Sequence, residues 1–259
     1  MTRRWLLALC VAIACAVGSA FDACIAADLG DANLAWDSAL VALPGGVRTS
    51  LKYLKDTGRY STFVKPDAVV VLYLHGHDGI QDKGVVPHDG YQISNRMNAV
   101  VIAPDSFARK GRIANESVGG RATFPQSIVY RMQEITYALQ QIVKMPGVNL
   151  NKLVLFGHSE GGKAAANWAG HEFRAIIVTG WNCSTQETAY AGTKIPTDIP
   201  VMNIVGVRDE DLKSNPAKSC ANVLTHHTTK EVINPNVKEH WFNNKYYPEI
   251  VQFIQDNTR

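Results

Sequence analysis

The sequence predicts an α/β fold built on a mostly parallel, doubly wound sheet with helices on both faces. Two observations carry this. Continuous apolar, β-branched runs recur along the chain: Ala68–Leu74 (AVVVLYL), Asn98–Ala103 (NAVVIA), Lys152–Phe156 (KLVLF), Arg174–Thr179 (RAIIVT) and Pro200–Val205 (PVMNIV). Runs of this length without polar alternation suit strands buried on both faces of a sheet. Between them lie segments with apolar residues at helical spacing, and strand–helix alternation implies parallel strands joined by crossovers. At 259 residues, 46% hydrophobic and 19% charged, the chain suits a single globular domain, here residues 28–259.

Taken in order, Asp31–Leu43 is expected to form a short helix stopped by Pro44-Gly45-Gly46. Val47–Leu54 (VRTSLKYL) alternates and reads as an outer strand, and polar Lys55–Asp67 as a loop. The strand Ala68–Leu74 runs into His75-Gly76-His77-Asp78-Gly79. Tyr91–Met97 looks helical, and the strand Asn98–Ala103 is closed by Pro104-Asp105. Ser106–Phe124 is a long polar connection with Arg109, Arg112 and Arg121, and long ordered connections are usually functional. Ile128, Met132, Ile135, Leu139 and Ile142 mark a helix within Pro125–Lys144, stopped by Pro146-Gly147. A strand at Lys230–Ile233 and a closing helix at Tyr246–Asn257 complete the pattern. In such sheets chemistry gathers at the carboxyl ends of the strands. Those ends carry His75, Asp105, Ser159, Trp181, Asp209 and His240.

Residues 1–27 read as an export signal: basic Arg3-Arg4, apolar Trp5–Val17, then small residues for cleavage near 20 (Gly18-Ser19-Ala20) or near 27 (Ile25-Ala26-Ala27). The apolar run is short for a membrane span. Secretion or periplasmic residence is the expectation, with no membrane association after cleavage. The net charge of +3 comes with no basic run beyond Arg3-Arg4, so nothing points to nucleic acid. Of five cysteines, Cys10 and Cys15 fall in the signal and Cys24 at its edge, leaving Cys183 and Cys220. In an oxidising compartment these two are the candidate disulfide, since adjacent parallel strands would bring their loops to one edge.

The chemistry centres on Leu153–Gly162 (LVLFGHSEGG), where G-x-S-x-G lies between an apolar strand and the helix-forming run KAAANWA. This is the pattern of a sharp strand-to-helix turn that exposes Ser159 at its tip. A serine hydroxyl needs a base beside it. His158 adjoins Ser159, but neighbours on a turn point apart; His171, His226 and His227 sit in polar surroundings. His240, after the last strand, is the expected base. Asp209, in the turn after PVMNIV, is the expected orienting acid, with Asp211 the alternative, whereas Asp198 precedes its strand and would lie at the wrong edge. The order Ser159, Asp209, His240 is that of serine hydrolases with this turn. The oxyanion donors are then the N–H of Glu160 and, from the loop after Ala68–Leu74, that of His77. Phe107, Trp181, Trp241 and Phe242 are candidate walls of a substrate pocket and would serve equally as core aromatics.

VVVLYLHGHDG, VVIAPDSFARKGR, Arg131 on the following helix, LFGHSEGG, NIVGVRDEDL and EHWF together resemble the dienelactone hydrolase family of α/β-hydrolases, over roughly Val47 to the end of the chain. The resemblance implies the α/β-hydrolase fold without a large cap domain and hydrolysis of small carboxylic esters or lactones, by a triad of Ser159, Asp209 and His240. The founding type uses a cysteine nucleophile where this chain has Ser159, which favours a general esterase. This reading calls for no cofactor and no metal. Three others compete. His75, His77 and Asp78 after a buried strand could serve a metal-dependent hydrolase. The fold could act as a catalytically silent binding protein. A peptidase of short peptides would share the serine chemistry.

Overall fold

The computed structural model describes residues 29–59, 62, 64, 66–77, 79–80, 85–112, 124–181, 183, 190–206, 220, 229–234 and 244–259. The expected signal segment, Cys24, Asp78, Arg121, Asp209, Asp211, His226, His227, His240, Trp241 and Phe242 lie outside them.

The elements are α1 (Ala32–Asp37), β1 (Leu40–Leu43), β2 (Val47–Ser50), α2 (Leu51–Thr57), β3 (Ala68–Leu74), α3 (Tyr91–Ser94), β4 (Ala99–Ala103), α4 (Phe124–Ile142), β5 (Val148–His158), α5 (Glu160–Ala166), β6 (Ala175–Thr179), β7 (Val201–Gly206), β8 (Thr229–Asn234) and α6 (Tyr247–Asn257). The strands form an eight-stranded sheet in the order β2-β1-β4-β3-β5-β6-β7-β8. From β4 to β8 every pairing is parallel, and β1 joins β4 and β2 antiparallel. The predicted doubly wound α/β sheet is therefore present, with an antiparallel hairpin added at one edge.

That hairpin corrects the N-terminal expectations. Asp31–Leu43 is not one helix: α1 ends at Asp37 and Leu40–Leu43 pairs with β4, Leu40 opposite Ala103. Val47–Leu54 is not one strand: β2 stops at Ser50, whose side chain accepts the Tyr53 N–H at 3.1 Å and caps α2. Gly58, at φ 62°, closes α2 in the left-handed conformation that glycine tolerates. Ser50 is thus the hinge at which the chain changes from strand to helix.

Period-two alternation in β3 splits the core into two layers. Val70, Leu72 and Leu74 join one cluster with Trp36, Leu51, Ile128 and Ala164, covered by α1, α2, α4 and α5. Val69, Val71 and Tyr73 join the other with Ile93, Tyr247, Ile250 and Ile254, covered by α3 and α6. In this second layer buried Asp89 accepts hydrogen bonds from the hydroxyls of Tyr73 (2.6 Å) and Tyr247, fastening the start of α6 to the central strand.

Cys183 and Cys220 are bonded to each other, with Cα atoms 4.8 Å apart and a sequence separation of 37. The bond ties the loop after β6 to the segment after β7. Closing a loop of this length removes unfolded-chain entropy worth about 4 kcal/mol in the chain-entropy model. Reduction should therefore lower the urea midpoint by a corresponding amount. Non-reducing peptide mapping should return the two cysteines as one linked pair, and recovery of two free thiols from the chain purified under oxidising conditions would contradict this.

Candidate active site

Ser159 separates β5 from α5 and sits at φ 53°, ψ −115°, a conformation L residues rarely adopt. Strain of this kind costs on the order of 1–3 kcal/mol and persists only where the surroundings enforce it. They do so on both sides. The Ser159 N–H donates to Thr179 O on β6 at 2.9 Å, and its carbonyl accepts the Lys163 N–H at 2.9 Å. The flanking glycines make the turn possible through close approach. A Cβ at Gly157 would lie 2.1 Å from Gly161 O, and one at Gly161 would lie 2.1 Å from Leu74 O on β3.

The loop after β3 lies directly against the serine. A Cβ at Gly76 would stand 3.0 Å from Ser159 Cβ, and the Gly79 N–H turns back to Gly76 O at 3.3 Å. His77, half-buried, follows Gly76 in this turn, and Glu160 is the first residue of α5, directly after Ser159.

Two histidines near the serine are committed elsewhere. His158 is buried and its Nδ1 contacts the Thr179 hydroxyl at 3.0 Å. Because that hydroxyl donates to Gly157 O, it accepts from His158, which fixes the proton on Nδ1. His75 is also fully buried. Its Nε2 accepts the Ser106 N–H at 3.0 Å, so the neutral ring carries its proton on Nδ1, 2.6 Å from Gly76 O. Burial, and then the Arg131 charge, hold its pKa well below the usual imidazole value. Its two ring nitrogens thus tie the segment after β4, through Ser106, to the turn after β3, through Gly76. Asp198 is exposed and stands 3.3 Å from His171, a surface pair.

The structure adds a buried ionic network that the sequence reading left unassigned. The Glu160 carboxylate accepts from Arg131 Nε at 2.9 Å and from Arg112 Nη2. Burial alone would raise its pKa, but Arg131 and Arg112 overcome this and hold it below the usual carboxylate value. Arg131 Nη1 donates to Glu134 Oε2 at 3.1 Å, and Glu134 Oε1 accepts the Ser106 hydroxyl at 2.6 Å. Arg131 Nη2 donates to His75 O at 2.8 Å. Farther out, Arg109 binds Asp31 (2.8 Å), Gln133 (2.7 Å) and Tyr130 O (3.0 Å). The available signal was the acid beside Ser159: a carboxylate at the tightly packed start of a central helix needs a cation, and Arg112 and Arg131 were the candidates.

Of the predicted pocket aromatics, Phe107 packs on the His75 ring, centroids 5.5 Å apart, under the Arg112 guanidinium. A Cβ at Gly79 would meet the Phe107 ring at 3.0 Å, so this side chain borders the loop after β3. Trp181 is half-buried after β6, with its Cβ against Gly162 of α5 and its ring 5.6 Å from Lys163 Nζ. Among the described residues no helix is long and apolar enough to cross a membrane.

A strained serine between a central strand and its helix, at the carboxyl edge of a parallel sheet, defines the architecture of the α/β-hydrolases, and this chain has that fold. Solved structures agree. The chain is similar to an acetyl xylan esterase from Paenibacillus sp. R4 (TM-score 0.55, 14% identity, 74% of this chain and 76% of that one). It is similar to an S-formylglutathione hydrolase from Agrobacterium tumefaciens (TM-score 0.52, 15% identity, 75% and 86%). It is also similar to a protein from Klebsiella pneumoniae described as a dienelactone hydrolase (TM-score 0.51, 12% identity, 75% and 88%). No family model matches the chain, and no curated protein matches it in sequence.

Proposed function

We propose that the chain is a serine hydrolase of small carboxylic esters or lactones, related to the dienelactone hydrolases. Ser159 attacks the acyl carbon and forms an acyl-enzyme, His240 takes the serine proton and returns it to the leaving alcohol, and Asp209 orients the imidazole. The N–H groups of Glu160 and His77 stabilise the oxyanion. Water then attacks the acyl-enzyme with His240 again as base. The observation that carries this reading is the strained Ser159 at the tip of the β5–α5 turn, with the Gly76 loop against its Cβ. The esterases and hydrolases among the structural neighbours support the same class. The reading of residues 1–27 as an export signal and the Cys183–Cys220 bond favour a periplasmic or secreted enzyme.

A panel of p-nitrophenyl and lactone substrates graded by acyl length should reveal turnover, with Phe107 and Trp181 favouring an apolar acyl or alcohol group. Because the base must be neutral to act, kcat/KM should rise with pH around neutrality as His240 loses its proton. His240→Ala should remove both the activity and this limb. If His226→Ala or His227→Ala removed them while His240→Ala did not, the assignment of the base would be wrong.

A further inference from the structure

Given a serine esterase at this site, we propose that Arg131 is the positioning residue of its oxyanion hole: one buried guanidinium fixes the loop that carries His77 and the residue that follows the nucleophile, Glu160, at a set separation. The guanidinium is planar, and its three nitrogens serve three segments of chain. Nε holds the Glu160 carboxylate at 2.9 Å, Nη2 holds the His75 carbonyl at 2.8 Å, and Nη1 is anchored at 3.1 Å by Glu134 on its own helix. The two proposed donors are thus the amide of a clamped residue and the amide two positions beyond another. His75 is held a second time by the Ser106 N–H on its ring, and Ser106 is bound to Glu134 through its hydroxyl. The loop is therefore fixed through its main chain and its side chain to one turn of α4.

Oxyanion stabilisation requires both donors at hydrogen-bond distance from one point, and displacement of a catalytic element by about 1 Å can cost about 10²-fold in rate. Lysine cannot replace this function. Its ammonium is a single point with a different reach, so it could satisfy Glu160 or Glu134 but not hold the His75 carbonyl in the same plane. Arg109 provides the comparison. It is also buried and multiply bonded, and it approaches Glu134 at 3.7 Å, but its hydrogen-bond partners, Asp31, Gln133 and Tyr130 O, include neither the oxyanion loop nor the nucleophile turn.

The test sets Arg131→Lys beside Arg109→Lys in the full-length secreted protein, comparing kcat, KM, the affinity of an arylboronic acid that forms a tetrahedral adduct on serine, and amide exchange over Leu74–His77 and Ser159–Gly161. Arg131→Lys should lower kcat about 10²-fold with KM little changed, about the loss on removing one oxyanion donor. It should weaken boronate binding in proportion and speed exchange in both segments. Arg109→Lys should lower the melting temperature and leave kcat and boronate affinity at wild-type values. Wild-type kcat and boronate affinity in folded Arg131→Lys would overturn the proposal. So would equal kinetic losses in the two variants, or failure of Arg131→Lys to fold, because Arg131 would then be purely structural. A wild-type protein that hydrolysed no ester would instead remove the esterase reading, and the exchange comparison would still decide whether Arg131 orders the two segments.

Discussion

Ser159→Ala should lower kcat for ester hydrolysis by about 10⁴–10⁶-fold, because members of a nucleophile–base–acid unit fail together and the remaining oxyanion and binding contacts supply only a residual rate. The change should leave the fold intact. Ser159 is held by main-chain bonds to Thr179 O and from Lys163 N–H, and alanine keeps both. KM and binding of a product-like carboxylate should therefore change little, and the melting temperature should move by no more than a few degrees. Steady-state kinetics on protein purified away from host esterases, with a circular dichroism melt, measures both. Turnover persisting near the wild-type rate would place the reaction elsewhere.

The second large effect is on stability. Gly161→Ala would put a methyl group 2.1 Å from Leu74 O and 2.6 Å from Leu74 C, both backbone atoms of the central strand. Neither can move without breaking the ladder that pairs Leu74 with Gly157. The expected loss exceeds about 4 kcal/mol, in the tail of single-substitution effects. A protein of marginal stability would then fail to accumulate in folded form. Gly147 is the control: its φ of 77° is also unfavourable for alanine, but nothing lies within 4 Å of the added Cβ. Gly147→Ala should cost only the backbone strain, about 1–2 kcal/mol. Urea midpoints of the two variants decide the matter, and equal small shifts would mean that α5 does not abut β3 as described.

These two expectations rest on features of different legibility. The turn at Ser159 could be read from sequence because every determinant is local: an apolar strand, two glycines and a helix-forming run within Leu153–Ala166. The buried strands were legible for the same reason, and Ala68–Leu74 was delimited correctly. Leu40–Leu43 was read as helix because a four-residue apolar run fits either period, and its strand state depends on pairing with β4, distant in sequence. The α2 helix did carry local signals, Ser50 as its cap and Gly58 at its end, but the alternation of Val47–Leu54 concealed them. Of the ionic network, only the need of Glu160 for a cation was legible, not its full set of partners. Arg112, Arg131, Glu134 and Glu160 come from three segments, and charged residues in polar stretches ordinarily face water. Only the packing of α4 against the turn at Ser159, with Arg131 and Glu134 one helical turn apart on its inner face, brings them together. Asp209 and His240 rest on chain order and on the fold's usual arrangement, so their roles stand as proposals for mutagenesis.

The central claim, that Ser159 is an activated nucleophile, is tested most directly by treating the purified wild-type protein with a fluorophosphonate and mapping the modified peptide by mass spectrometry. The account predicts a single adduct per chain, located on Ser159, absent from Ser159→Ala and unaffected by a metal chelator. An adduct on another residue, or a protein that turns over esters while Ser159 stays unmodified, would contradict it.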